Sequence, residues 1–448
     1  MTDSVVDLAS HLVERALASG ASAADAVATL SEEVLVNRRL GKLEDLDRSE
    51  SLALGLRVFC GCRQASVATT DPSPDTASEL VERAVAMARL APEDHHAGLA
   101  DPHLLAQGNV DLDLDGGDEP GTDTLTRLAA EAEDAALAVK GITNSEGATA
   151  AWQRSTGALV TSTGFAGVTK RTMSGLYVTV IAGTGLDMQS DGEGRSTRHL
   201  EDLPAPADIG REAAERAVRR LDPHKLATAR MPLVFEPRTA RSLVGHLAGF
   251  IAGPAIARGT SWLKDSLDCP VFADGITIIE DPFVHRGLAS RPFDGEGLRP
   301  HAGRLVDNGI LVTWLLDCRS ARQLSMSPTG HATRGTGGPP SVGTTNLWLE
   351  AGEDSPDDLM ADIDEGLLVT SLSGHGVNPV TGDYSRGASG QRIRNGTLDH
   401  AVNEITIAGN LKEIYATLRP ASDLEFRDAT NAPSIRVDTM TVAGSAGG

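Results

Sequence analysis

Asn378–Ile414 reads NPVTGDYSRGASGQRIRNGTLDHAVNEITIAGNLKEI, and the reading of this stretch decides the architecture around it. Asn378-Pro379 and Thr381-Gly382-Asp383 form a turn cluster, because proline fixes φ and glycine accepts positive φ. The run Tyr384–Gly390 carries Ser385, Gly387, Ala388, Ser389 and Gly390. It reads as a small-residue loop whose backbone can approach another backbone or a ligand closely. Asn395-Gly396 lies between two short strand-like segments and is a strong hairpin signal. Glu404–Ile407 alternates as a strand, and Gly409-Asn410-Leu411 reads as a turn into a helix.

Outward from this block the chain divides in two. Before residue 222, helical spacing recurs over Val5–Ala18, Asp75–Leu90, Asp123–Val139 and Ile209–Leu221. Between the helices, Ala26–Leu30, Glu33–Leu40, Ser51–Phe59, Ala65–Thr69, Thr149–Gln153, Leu159–Thr163, Phe165–Arg171 and Leu176–Ala182 read as strands. Asp187–His199 is polar and glycine-bearing, and reads as an exposed loop. Pro223–Arg230 has linker character. Beyond it the pattern is mostly strands and turns, with one small-residue helix over Thr239–Ile256 and a glycine-proline loop at Arg334–Val342. The expectation is an α+β fold: an N-terminal helix-and-sheet domain over 1–222 and a C-terminal, mostly antiparallel β domain over 231–448.

Composition narrows the function. The 448 residues carry a formal net charge of −22, with 40% hydrophobic and 23% charged residues. So acidic a chain is not built for nonspecific DNA or anionic-membrane binding. No run approaches the roughly 18 apolar residues of a membrane span. The acidic start MTDSVVDLASHLVERAL does not resemble a signal peptide. Cys60, Cys62, Cys269 and Cys318 form no disulfide framework, which points to a reducing, cytoplasmic setting.

The block from Asn378 resembles the TldD/TldE metallopeptidase family, also called modulators of DNA gyrase. It is most similar to the TldE (PmbA) branch, whose pattern is NPVTGDFSRGAxG followed by IENGxxxxPVxEITIAGNLK. Here Tyr384 replaces Phe and Arg394 replaces Glu. Further family-like blocks are Leu243–His246, Ala257–Leu263, Asp281-Pro282, Pro292–Gly297, Ser320–Arg322 and Pro328–Ala332. The resemblance implies a C-terminal domain of strongly curved antiparallel sheet. It also implies a split of labour, in which the TldD half carries an H-E-x-x-x-H zinc helix completed by a C-terminal cysteine thiolate.

This chain has no His-Glu dipeptide. The helix that should carry the motif has one histidine, His246, with Arg241, Ser242, Phe250 and Ile251 at the flanking positions. The last cysteine is Cys318. One imidazole cannot hold zinc, which takes three or four ligands. No cofactor is therefore expected in this chain, and zinc is expected in a TldD-type partner. The resemblance implies that such a pair encloses the zinc in a cavity and cleaves unfolded or extended peptides, with this chain as the non-catalytic TldE-type subunit.

Candidate substrate or partner contacts are Arg258, Ser261, Asp294, Glu296, Asn378, Asp383, Tyr384, Ser385, Arg386 and Glu404. Arg258 and Arg386 could anchor a peptide carboxylate. Asp294 and Glu296, two apart, could do acid–base work or serve as plain hydrogen-bonding carboxylates. Other readings stand beside this one. They are a two-component metallohydrolase trimming a peptide-like or amide intermediate in specialised metabolism, a self-sufficient hydrolase using Asp294, Glu296 or His331, and a homodimeric binding protein.

Overall fold

The computed structural model describes residues 2–108 and 110–444. Its first half runs α1 (Thr2–Ala18), β1 (Ala23–Arg39), β2 (Lys42–Cys60), β3 (Arg63–Thr69), α2 (Pro74–Leu90), α3 (Thr122–Leu137), β4 (Ile142–Thr161), β5 (Ala166–Ala182), β6 (Gln189–Thr197) and α4 (Pro206–Arg219). The six strands form one sheet in the order β3-β2-β1-β4-β5-β6, each neighbouring pair antiparallel.

Alternation across the sheet decides what each face does. Ala24, Ala26, Ala28, Leu54, Leu56 and Val58 are buried in one apolar cluster with α1 and α2. Val34, Val36, Ala150, Trp152, Leu176 and Val178 are buried with α3 and α4. The opposite face looks toward the second half of the chain.

Several strands are longer than the apolar alternation suggested. Ala26–Leu30 and Glu33–Leu40 are parts of β1. Thr149–Gln153 and Leu159–Thr163 merge into β4, and Phe165–Arg171 and Leu176–Ala182 into β5. Polar residues interrupt the hydrophobic pattern without interrupting the backbone ladder. Asp187–His199 is not an exposed loop. Most of it is the edge strand β6, with Asp191 and Glu193 buried among arginines.

The second half runs β7 (Ala229–Phe235), α5 (Pro237–Phe250), α6 (Gly253–Ala257), β8 (Ile278–Asp281), β9 (Gly303–Asp307), β10 (Ile310–Leu311), α7 (Cys318–Leu324), β11 (Ala332–Thr333), β12 (Ser341–Val342), β13 (Asn346–Leu349), α8 (Pro356–Met360), β14 (Glu365–Val377), β15 (Asp383–Arg394), β16 (Thr397–Asn410), α9 (Leu411–Thr417), β17 (Arg419–Pro420), β18 (Thr430–Asn431) and β19 (Ile435–Ala443). Its main sheet has the order β16-β15-β14-β7-β19-β17 and curls until β16 also pairs with β19. The pairs are antiparallel except β7 with β14. A smaller sheet, β10-β9-β8-β13-β18, and the hairpin β11-β12 complete this half. The fold is therefore α+β with curved, mostly antiparallel sheet.

Two expectations about the central block and its neighbour need correction. Tyr384–Gly390 is not a loop but the first part of β15, and its small residues serve strand packing. A Cβ at Gly390 would overlap the Leu368 carbonyl, and one at Gly376 would overlap that of Ser385. The ladder is irregular beside both glycines, between Val369 and Ser371, between Ser373 and Gly376, and between Ala388 and Gly390. The helix expected over Thr239–Ile256 breaks after Phe250. Ala252 is extended (φ −66°, ψ 126°) and caps α6, and Pro254 supplies no N–H. The freed groups pair with a neighbouring segment, Gly253 N–H to Leu315 O at 2.7 Å and Leu315 N–H to Ile251 O at 3.0 Å.

The two halves are held by charged and close contacts. Arg238 Nη1 meets Asp191 Oδ1 at 2.9 Å, Arg286 Nε meets Asp113 Oδ2 at 2.7 Å, and Arg334 Nη2 meets Asp25 Oδ1 at 2.7 Å. The loop Arg334–Val342 is thereby docked. Its Thr336 backbone lies where any side chain at Gly55 would stand. Pro223–Arg230 is pinned as well, with His224 N–H donating to Ala401 O at 2.8 Å.

Candidate functional site

Helix α5 brings the family-like blocks together. Pro237 starts it, and Leu243, Val244, Leu247 and Phe250 bury its inner face. Gly245 and Gly249 stay exposed on the outside, with His246 half-buried between them. The His246 ring lies 6.2 Å from that of Tyr384, edge-on, and 6.4 Å from that of Phe250. Burial, and then the Arg386 guanidinium, hold the imidazole below its usual range, so it is neutral at pH 7. Tyr384 is 1% exposed, and burial pushes its phenol up to about 12, with Arg386 opposing; the Ser242 hydroxyl is turned to Thr239 O at 2.7 Å. His246 Nε2, Tyr384 Oη and Trp262 Nε1 are buried without a hydrogen-bond partner among the described residues.

The turn before β15 is closed on itself. Asn378 Oδ1 accepts from Val380 N–H at 2.9 Å, and Asp383 accepts from Thr381 Oγ1 at 2.6 Å and Asn410 Nδ2 at 3.1 Å. Those bonds hold the Asp383 carboxyl below the usual range. Asn410 also caps α9, its side chain accepting from Lys412 N–H, so the helix is present as read, but β16 runs straight into it through Asn410 with no turn between. Trp262 N–H donates to Pro379 O at 2.9 Å, joining the Arg258–Trp262 segment to this turn. Ser261 is buried, and its Oγ accepts from Leu263 N–H at 3.0 Å. Arg258 and Ser385 are exposed, and Arg386 donates to Ser373 O at 3.3 Å. Glu404 is remote from this group. It adopts a left-handed φ of 52° and pairs with Lys225.

The residues of the self-sufficient hydrolase reading lie near one another, but they are buried and already paired. Asp294 is 2% exposed and accepts backbone N–H bonds from Glu296 at 2.8 Å, Leu298 at 2.9 Å and Ala332 at 3.1 Å. Glu296, 4% exposed, accepts from Cys318 N–H at 2.7 Å. Burial raises its pKa to about 7, against the pull of Arg57. His331 is spanned by Glu280 and Thr329, both at 2.7 Å. These groups organise the loop under β8 and β11. Asp294, Glu296 and Ser261 are buried within this chain.

The donor set does not fit a zinc ion. His246 has Ser242 and Phe250 one turn away on either side, and a phenol and a guanidinium as its polar neighbours. Cys318 is buried beside Glu296, where burial pushes its thiol well up. No group of three His, Cys, Asp or Glu side chains able to hold a metal occurs among the described residues. Nor is any described helix long and apolar enough to cross a membrane.

The arginines between the halves were missed in the sequence. One signal was available: Asp191, Glu193 and Arg195 alternate at strand spacing inside the segment read as a loop.

Comparison with known proteins places the chain. Residues 24–88, 115–221 and 228–444 match the first, central and C-terminal domains of the PmbA/TldA metallopeptidases. Metalloprotease PmbA of Escherichia coli O157:H7 is 38% identical over 432 residues, covering 96% of this chain and 94% of the relative. The Haemophilus influenzae PmbA homologue is 37% identical, covering 97% and 95%. A Bacteroides thetaiotaomicron crystal structure named as a modulator of DNA gyrase superposes with a TM-score of 0.89 at 25% identity, covering 98% of both chains. TldE of Thermococcus kodakarensis shares the fold, with a TM-score of 0.84 at 20% identity over 97% and 99% of the two chains. The chain belongs to the PmbA/TldD metallopeptidase family.

Proposed function

We propose that this chain is the TldE-type, non-catalytic subunit of a two-chain zinc peptidase that cleaves unfolded or extended peptides in the cytoplasm. The observation that carries the reading is the chemistry around His246. A neutral imidazole beside a phenol and a guanidinium, on a helix with no second ligand, offers zinc one donor where three or four are needed. The TldD-type partner carries an H-E-x-x-x-H helix, holds the metal and activates its water. This chain walls the cavity with the exposed glycine face of α5 and the exposed ends of β14 and β15. Arg258 and Arg386 stand at that wall, charged and accessible, to meet a peptide carboxylate or the partner.

The test is reconstitution. Purified alone, the chain should cleave none of a panel of unstructured peptides. Mixed with a zinc-bearing H-E-x-x-x-H chain, it should form a complex whose turnover exceeds that of the partner alone. Peptidase turnover by this chain in isolation would refute the assignment.

A further inference from the structure

The first sheet turns one face toward the second half of the chain, and a cleft of 850 Å³ lies between them. Its floor comes from β4, β5 and β6, and its roof from the start of α5, β7, α8 and the 423–434 segment. An aromatic ring is laid across the floor. Tyr177 of β5 stands opposite Gly194 of β6 in register, and its ring reaches over Gly192 as well. A Cβ at Gly192 would meet Tyr177 Oη at 2.6 Å, and one at Gly194 would meet its Cδ2 at 2.5 Å. Glycine at both positions therefore lets the ring rest against the strand, with 52% of Tyr177 exposed. Met173 and Leu398, both exposed and apolar, line the same cleft.

The charges of the cleft are nearly all satisfied by one another. Arg195 and Arg216 pair with Glu193 and Glu212, Arg241 with Asp428, and Arg427 with Glu212 and Glu425. Arg238 is forked onto Asp191, at 2.9 and 3.0 Å, and Asp423 accepts from the Ser434 N–H and hydroxyl. Among the described lining residues this leaves one cation, Arg219, and two carboxylates, Glu33 and Glu236, whose side chains have neither an ion pair nor a hydrogen bond. Glu33 lies on β1, two strands from Tyr177. Glu236 stands just before α5 with extended backbone (φ −60°, ψ 156°), and its carboxylate does not cap the helix. Burial raises its pKa, with Arg219 and then Arg238 opposing. Arg219 and Glu236 also line together a narrow hollow beside the cleft, with Gln391 of β15. A half-buried carboxylate and a guanidinium that share these walls without touching each leave hydrogen-bonding capacity open.

We propose that this cleft binds a zwitterion, a free amino acid or short peptide, with its ammonium on Glu236, its carboxylate on Arg219 and an apolar side chain against Tyr177. An ammonium brings donors to an acceptor-only carboxylate, and a guanidinium fork matches a carboxylate. The Tyr177 face, Met173 and Leu398 cover an apolar side chain. A simple anion or a simple cation would satisfy one of the two free groups and leave the other open, while the remaining arginines are already neutralised. The size and the place between two sheets suit a small ligand. The ligand class follows from the cleft's own charges and does not depend on the subunit role proposed above.

The test uses the purified full-length chain and calorimetric titration with phenylalanine and with the dipeptide phenylalanyl-alanine, each free, N-acetylated and as the C-terminal amide. At least one free probe should bind saturably, and blocking either of its termini should weaken it about tenfold or more. Saturation by phenylalanine identifies a free amino acid, and saturation by the dipeptide alone identifies a short peptide. Glu236→Gln should weaken the free probe about tenfold and leave the affinity of the acetylated form unchanged, because that form has no ammonium to lose. Arg219→Met should act in the same way on the free probe and spare the amide. Both variants should melt within a degree or so of the parent, since neither side chain has a partner to lose. Tyr177→Ala should weaken every form. No saturable binding of either free probe, equal affinity of free and acetylated forms, or a Glu236→Gln chain that binds the free probe as tightly as the parent would overturn the proposal.

Discussion

Glu296→Gln isolates a carboxyl that burial holds well above its usual range. Glu296 sits 4% exposed under the docked loop, near Arg57, which is itself paired with Asp25, and accepts the Cys318 N–H. Burial raises its pKa from 4.5 to about 7, with Arg57 opposing and Asp294 and Asp317 adding. A carboxyl raised in the fold favours the protonated form. Its contribution is therefore complete below pH 4.5 and is lost as pH rises through 7. At about 1.4 kcal/mol per pH unit, the whole shift is worth about 3 kcal/mol. Glutamine keeps an acceptor for Cys318 and carries no charge, so it should behave as the protonated acid at every pH. The assay is thermal unfolding of parent and variant at pH 4 and pH 8. The two should be close at pH 4, and the variant should be the more stable at pH 8, with part of the gain returned through the lost attraction to Arg57. Parallel pH profiles would refute the reasoning, as would a variant destabilised equally at both values.

Three further substitutions test the packing. Tyr384→Phe removes a buried hydroxyl with no partner and should leave the melting temperature unchanged or raise it, by up to about 1 kcal/mol equivalent. Gly390→Ala forces a methyl into the Leu368 carbonyl and should cost on the order of 2–4 kcal/mol in denaturant unfolding. Gly55→Ala meets the Thr336 backbone and should release the 334–342 loop, read as faster proteolytic cleavage there with the rest of the chain intact.

Much of the fold was legible because turn and cap chemistry is local. Asn395-Gly396 joins β15 to β16 with both residues at positive φ, and Asn410 caps α9, as their residue types require. Ser73 caps α2 by accepting from Thr76 N–H. Errors arose where tertiary contacts override local pattern. Tyr384–Gly390 is poor in side chains because its neighbours in the curled sheet leave no room, which a single sequence cannot distinguish from a loop built for ligand approach. The break after Phe250 depends on Leu315, 65 positions away, and could not be read from the helix alone. At the site, residue types identified the helix and the family, but not burial. Asp294 and Glu296 read equally well as surface acids and as the buried acceptors they are.

The central claim is that this chain cannot retain a catalytic zinc by itself. Its most direct test is elemental analysis of the full-length chain and a His246→Ala variant, each loaded with zinc and passed over a desalting column. Both should retain roughly none, well under a tenth of an atom per chain, because one imidazole without a second ligand does not compete with water. About one zinc per parent chain, lost in His246→Ala, would contradict the account.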